Sequence, residues 1–336
     1  MADATIFYSW QSDLEHKVTR SFLERALERA LRDVSTRLGC RLAVDQDARG
    51  ETGSPVIPDV IQEKIRRAVG FVADLSIVAR RPAGGGLPNG CVAVEWGWAE
   101  ERHGSEAMIG VMNTALGKPG DLPIDIRQSL IRTTFELSID ADAATAKKAS
   151  ESVQVELARS VEESLRARFF KGLRASAVPI IRHLITSNPD GGSWTQAKPR
   201  EIAATAGIAE EDALALADDF DRLGLADVLS TRDRDMRLLP TLFIRFDPLF
   251  MGWSAAADSV EIAKVVADRT ACTGAELSDR LSWPPRRINP ALHLLIAHEI
   301  IDESAEVSVP YITHSVRTTE KTLAYAEGRL KIPRAT

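Results

Sequence analysis

Cysteine is scarce. Cys40, Cys91 and Cys272 are the only three, odd in number and widely spaced. No Cys-x-x-Cys pair occurs, so neither a disulfide framework nor a zinc site is expected. Reduced thiols in a cytoplasmic setting fit best. Long apolar runs are missing too. Stretches such as Leu294-Leu-Ile-Ala297 fall far short of the roughly 20 residues a membrane-spanning helix needs. Met1-Ala-Asp-Ala4 lacks a basic region followed by an apolar one, so no secretion signal is expected. Nor is there a basic surplus: 42 Lys+Arg stand against 48 Asp+Glu, a net charge of −6. That balance argues against a strongly basic nucleic-acid binder and against a protein held on an anionic membrane. The six histidines are scattered. His16 and His103 have no Ser/Asp or Cys partners at a recognisable spacing, so a hydrolase triad is not supported. His293 and His298 lack the i, i+4 spacing of helical metal ligands. No metal site is expected.

The 336 residues are 44% apolar and 27% charged, an ordinary globular balance for two or three domains. The chain is organised around Phe71 to His103. A short apolar run, Phe71-Val-Ala-Asp-Leu-Ser76, carries Asp74 at its end. A Gly/Pro loop follows to Leu87-Pro-Asn-Gly-Cys91, and a helix opens near Asn89 as Val92-Ala-Val-Glu-Trp-Gly-Trp-Ala99. The pattern is strand, crossing loop, helix. In open α/β sheets the loops at the carboxyl ends of strands are where ligands bind. Glu95 lies within the first turns of that helix, among mostly apolar neighbours. It reads either as a solvated helix-surface carboxylate, favoured by the helix dipole, or as a carboxylate placed for chemistry.

The spacing predicts strands at Ile6-Phe-Tyr8, Arg41-Leu-Ala-Val44, Phe71 to Leu75, Ala107 to Met112 and Thr133 to Ile139. Between the first two, a helix with Leu23, Leu27, Ala30, Leu31, Val34 and Leu38 on one face is expected to open at the capping-box pair Ser12 and Glu15 and to stop at Gly39. Val60 to Ala68 forms a second helix, after a loop from Ala48 to Pro58. Alternating strands and helices imply a five-stranded parallel sheet covered on both faces, with right-handed crossovers. From Asp140 the composition shifts to Ala, Glu, Lys and Arg. Val153, Leu157, Val161 and Leu165 recur every fourth residue, as in one long helix closing the first domain and leading out of it. The expected divisions are 1–140 for the α/β domain, 141–175 for a linker helix, and 176–250 and 251–336 for two further units.

Those two units carry a weak internal repeat. Glu201-Ile202 and Glu276-Leu277, Phe220 and Leu295, Leu225 and Ile300, and Asp227 and Asp302 match at one offset of 75 residues. Each unit reads as helix, turn, helix and an extended hairpin, at Val228 to Leu239 and at Glu306 to Thr313. Tandem winged helices are expected, with a plain helical bundle as the alternative. Residues 176 to 336 hold 18 Lys+Arg against 23 Asp+Glu, a balance of −5. The second helix of the first unit opens Glu210-Glu-Asp212, which would meet DNA phosphates with like charge. The second opens with Arg286-Arg287, a better start. DNA contact is thus weakly supported, and a protein partner or trigger is the favoured expectation.

Ile6-Phe-Tyr-Ser-Trp-Gln-Ser-Asp13, Gly50-Glu-Thr-Gly-Ser54, Phe71 to Ser76, Pro88-Asn89, Val92 to Ala99 and Leu122-Pro-Ile-Asp-Ile-Arg127, in this order, resemble bacterial TIR-like domains. The resemblance spans roughly residues 4 to 140. The Glu-x-Gly-x-Ala piece is similar also to nucleoside 2-deoxyribosyltransferases. Both groups cleave a bond between a ribose-type C1′ and a base nitrogen. The resemblance implies a flavodoxin-like fold, NAD as substrate rather than cofactor, and a catalytic Glu at the position of Glu95. It further implies a defence or signalling effector, activated when TIR-like domains assemble into a homo-oligomer; the long Gly/Pro-containing loop beside the presumed site, Asp47 to Pro58, suggests the piece with which a neighbour completes the pocket. The family pattern has a second Asn where Cys91 stands.

The chemistry explains how one carboxylate could suffice. Cleaving the nicotinamide–ribose bond develops positive charge on the sugar, as in glycoside hydrolysis. The leaving group is already a cationic pyridinium and needs no proton. What remains is to stabilise the oxocarbenium-like sugar, which a partly desolvated Glu95 can do. Other candidates line the same rim. Ser9 could bond a phosphate or ribose, and Trp10 could stack on a base or be a core-edge aromatic. Asp45 or Asp47 could meet ribose hydroxyls or be solvated loop acids. Asp74 could face the site or cap the next turn. Asn89 opens the helix, and Trp98 could wall a nicotinamide pocket, whereas Trp96 points to the core. Gly84-Gly-Gly86 lacks the Lys-Ser/Thr ending of a phosphate loop. The competing expectations are a non-enzymatic TIR-like adaptor, a nucleoside-processing transferase, and a nucleotide-responsive regulator acting through the winged helices.

Overall fold

The computed structural model of the chain describes residues 4–47, 57–82, 84–127, 133–191, 195–230, 232–304 and 309–332. The chain divides into two compact units between Lys171 and Gly172.

The first unit is α/β. Its strands are β1 (Ala4–Ser9), β2 (Leu42–Asp45), β3 (Gly70–Asp74), β4 (Met108–Asn113) and β5 (Thr133–Phe135). They form one all-parallel sheet in the order β2-β1-β3-β4-β5. β3 and β4 are buried along their whole length, which is why they read as near-continuous apolar runs. The first four strands end at the same edge in polar residues: Ser9, Asp45, Asp74 and Asn113. Asn113 is fully buried and satisfied. Its amide donates to Val18 O and Leu137 O, and its carbonyl accepts from Ala115 N and Leu137 N.

The helices are α1 (Arg20–Leu38), α2 (Ile57–Arg67), α3 (Gly90–His103) and α4 (Ala143–Phe169). α2 and α3 close one apolar layer, in which Ile65, Val92, Trp96 and Ala99 meet Phe7, Phe71 and Met108. α1 buries Phe22, Leu23, Ala26, Leu27, Ala30, Leu31, Val34 and Leu38. Each large side chain among them contributes roughly 1.5–3 kcal/mol. A part-exposed pair such as Arg37–Glu162, between α1 and α4, contributes about 0–1 kcal/mol, so the apolar stripe decides how α1 docks.

Two expectations need correction. α1 does not open at Ser12. One 3-10 turn, His16–Val18, precedes it, and it starts at Arg20. The buried Gln11 carbonyl takes the Asp13 and Leu14 amides at 2.8 and 3.0 Å, so the turn after β1 is held by a glutamine and the Ser12 and Glu15 spacing is incidental. Nor is α4 a linker. Val153, Leu157, Val161 and Leu165 are all buried, α4 packs along α1, and Arg168 donates to Val69 O at 2.8 Å. The first unit therefore extends through residue 171. A smaller difference concerns the Gly/Pro loop, where Ala79–Arg80 and Gly86–Leu87 pair as an antiparallel hairpin.

The second unit is mostly helical. After α5 (Ala177–Ser187) come β6 (Gln196–Ala197), α6 (Pro199–Ala206), α7 (Glu210–Arg222), β7 (Ala226–Val228) and β8 (Met236–Leu238). α8 (Pro240–Phe250) and α9 (Ala255–Arg269) lead to β9 (Ala271–Thr273), α10 (Gly274–Leu281), α11 (Pro285–Ala297), β10 (Ile301–Glu303), β11 (Ser315–Thr318) and α12 (Thr322–Ala326). Two antiparallel three-stranded sheets result, β6-β8-β7 and β9-β11-β10. Gln196, Pro199, Glu210 and Ala226 start elements whose counterparts start at Ala271, Gly274, Pro285 and Ile301, one offset of 75 residues throughout. Thr273 and Glu276 form a capping box at the start of α10. The second hairpin's limbs lie outside Glu306 to Thr313, at β10 and β11, and residues 305–308 lie outside the described residues.

Arg286, at the start of α11, is buried with a bidentate bond to Asp247 of α8 at 2.7 and 2.5 Å, and it reaches Ile185 O at 3.3 Å. Burial outweighs the guanidinium and holds the Asp247 carboxyl up at about 6. Removing one partner strands a buried charge, which costs about 3–5 kcal/mol, whereas replacing both with apolar residues of similar volume is far less damaging. Asp247→Ala is expected to lower the stability of the second unit by about 3–5 kcal/mol, and Asp247→Leu with Arg286→Met to recover most of it. Denaturant unfolding of both variants checks this; equal losses in the two would contradict it.

Candidate functional site

β1 ends at Ser9, in register with Ala73 and next to the end of β3. The Ser9 hydroxyl, almost wholly buried, donates across to α3, where Glu95 Oε2 accepts at 2.6 Å. Asn89 fixes where α3 begins. Its carbonyl caps Cys91 N and Val92 N at 2.8 and 3.2 Å, and its amide donates to Asp13 Oδ2 at 2.6 Å. Because Val92, Trp96 and Ala99 form the buried stripe, Glu95 falls at its flank, half-buried. Burial pushes its carboxyl above the ordinary glutamate range. The Ser9 hydroxyl opposes that shift, and the nearby Asp47 carboxylate adds to it.

Trp10 and Asp47 meet through a residue that sequence reasoning did not select. Arg20 lays its guanidinium 3.3 Å from the centre of the Trp10 ring and 3.6 Å from Asp47 Oδ2. Tyr8 Oη donates to Arg20 O at 3.5 Å. Asp74 is fully buried and caps its own turn, accepting from Ser76 N at 3.0 Å and from Gln11 Nε2 at 3.3 Å. Burial raises its carboxyl despite those bonds. Trp98 is half-buried against the apolar layer under α3, and Trp96 sets its edge on Phe71 at 6.2 Å. Asp45 is taken by Lys64 at 2.8 Å.

The structure thus joins Ser9 to Glu95 directly, and Trp10 to Asp47 through Arg20. Asn89 positions α3. Asp74 caps the turn beside Gln11, and Trp98 packs, half-buried, against the layer under α3. Gly50 to Ser54, and residues 48–56 of the loop expected to complete a neighbour's pocket, lie outside the described residues. Gln11 and Arg20 are the additions. Gln11 stood within the first motif, but Arg20 carried no signal, because a charged residue at the start of an amphipathic helix reads as solvated.

Elsewhere the chemistry is thinner. Among the described residues, no group of three His, Cys, Asp or Glu side chains could hold a metal ion, and no helix is long and apolar enough to cross a membrane. Two clefts of the second unit, beside His183 and Lys198 and beside Cys272, present no buried side-chain polar atom without a partner among the described residues. The two arginines that favoured DNA contact are spent internally. Arg286 is bound to Asp247, and Arg287 forms a fork with Asp258 at 2.8 and 2.7 Å while stacking on Trp283. A scan of protein-family models gives no match for the chain, and no curated protein matches it.

The raised Glu95 carboxyl has a stability consequence with a definite sign. Ionised Glu95 costs the folded state. That cost is absent well below the ordinary carboxylate range and grows as pH rises through the raised value. Glu95→Gln keeps an acceptor for Ser9 and removes the charge. Its melting temperature should therefore exceed the wild type's by a margin that widens from about pH 4 to about pH 8. A margin independent of pH would contradict this assignment.

Proposed function

We propose that the first unit is a flavodoxin-like, TIR-like NAD glycohydrolase, with Glu95 as its catalytic carboxylate. The observation that carries the reading is the 2.6 Å bond from Ser9 to a half-buried Glu95 at the carboxyl edge of a parallel sheet. A carboxylate whose burial and acidic neighbour both oppose ionisation is relieved by a cation. The nicotinamide ribosyl centre supplies one. As the C1′–N bond breaks, its electron pair moves to the pyridinium nitrogen and neutral nicotinamide leaves. Positive charge passes to the sugar, where ionised Glu95 opposes it. Water then adds its oxygen to C1′ and loses a proton, which Glu95 or solvent accepts. Ser9 holds one carboxylate oxygen, so the other can face the sugar.

In this reading the protein is a cytoplasmic defence or signalling effector, switched on when first units assemble into a homo-oligomer. The second unit is a pair of winged helices that engages a protein trigger. Support for the winged helices is the repeated order of helices and three-stranded sheets at one offset. Support for a protein over DNA is the acidic start of α7 and the internal pairing of Arg286 and Arg287.

Nicotinamide release from NAD by purified protein, at rising concentration to drive assembly, tests the proposal. Glu95→Ala should lower the rate by at least about 100-fold, the loss typical of removing a group that stabilises transition-state charge. A variant as active as wild type would remove Glu95 from the mechanism.

A further inference from the structure

Arg20 is only 20% exposed, yet its guanidinium makes no hydrogen bond among the described residues. It stacks on Trp10 and faces Asp47 at 3.6 Å, beyond hydrogen-bond length. A guanidinium offers five N–H donors in a rigid fork. Two other well-covered arginines, Arg286 and Arg287, each grip a carboxylate with paired bonds. Arg20 is therefore a charged fork on the rim beside Glu95 whose N–H donors have no hydrogen-bond acceptor among the described residues.

The surroundings say what would match it. Glu95 and Asp47 set negative charge on this rim, which repels an anionic ligand unless a cation receives it. The ligand must compete with Asp47 and present oxygens at fork spacing, as phosphate does. It also meets the flat ring of Trp10, which suits a base once the guanidinium leaves it. Phosphate beside a base describes a nucleotide.

We infer that Arg20 receives the diphosphate of a dinucleotide substrate, moving from Trp10 and Asp47 onto the phosphates and uncovering the Trp10 ring as it does so. The inference takes the identity of the substrate from the NAD reading of Glu95. Arg20 is a binding and positioning residue; it donates to the diphosphate and takes no part in bond cleavage.

Calorimetric titration of the full-length protein with ADP-ribose tests this. Arg20→Ala should weaken binding roughly 10- to 100-fold, the range for a lost charge-assisted hydrogen-bonded pair. Arg20→Lys keeps the charge without the fork and should recover only part of the affinity. It also decides the matter should the alanine variant fail to fold. Binding to Arg20→Lys or Arg20→Ala at wild-type strength overturns the inference, as does a wild type that binds no ADP-ribose. Nicotinamide release, measured alongside, separates the two readings. Wild-type affinity in the Arg20 variants, with Glu95-dependent cleavage retained, sinks the Arg20 role alone. Arg20-dependent binding with no cleavage by wild type at any concentration sinks the Glu95 reading and leaves a diphosphate subsite.

Discussion

A single hydroxyl-to-carboxylate bond, Ser9 to Glu95, ties the end of the first strand to the flank of α3, and it forms only with the rest of the rim in place. The bond requires β1 to lie beside β3, so that Ser9 emerges at the same edge as Asp74. It also requires α3 to start at a fixed point, which Asn89 sets by capping the helix and holding Asp13. A carboxylate in this position is disfavoured by burial and by Asp47. It persists because the helix carrying it is anchored by Val92, Trp96 and Ala99 on the other side of its stripe. Packing on one face holds in place what electrostatics on the other would expel.

Much of the first unit could be read from periodicity. The stripe of α1 and the apolar run of β3 are local patterns, and local patterns survive in sequence. What failed was whatever a distant residue decides. Ser12 and Glu15 had the right spacing for a cap, but Gln11, bonded to Asp74 63 residues on, holds that turn instead. The stripe of α4 announced that something must cover it without saying that α1 and the sheet do. Within the site, Glu95 was legible as an exception, an acid among apolar neighbours. Arg20 was not, because its meaning comes from Trp10 and Asp47, which only the fold brings to it. Arg286 and Arg287 misled for the same reason. Their carboxylate partners lie 39 and 29 residues earlier in the chain.

In the second unit the same sequence offset governs both halves, yet the halves are not equivalent. α7 opens on Glu210, Glu211 and Asp212. α11 opens on Pro285 and on arginines turned toward Asp247 and Asp258. Asn289 adds bonds to Asp190 O and Pro310 O. A buried ionic and amide network of this kind gains little net stability over an apolar core. What it fixes is register, since each donor has one acceptor geometry to satisfy.

The two outermost strands of the parallel sheet, β2 and β5, are four and three residues long. Strand edges are where one chain can zip onto another through its main chain, and brevity is a common guard against it. Among the described residues, a second molecule arriving at either flank would find two or three backbone partners to pair with. These short edges offer, among the described residues, little main chain to an extending ribbon, so the side chains of helices and loops are the larger surface on which a second molecule could be held and released again.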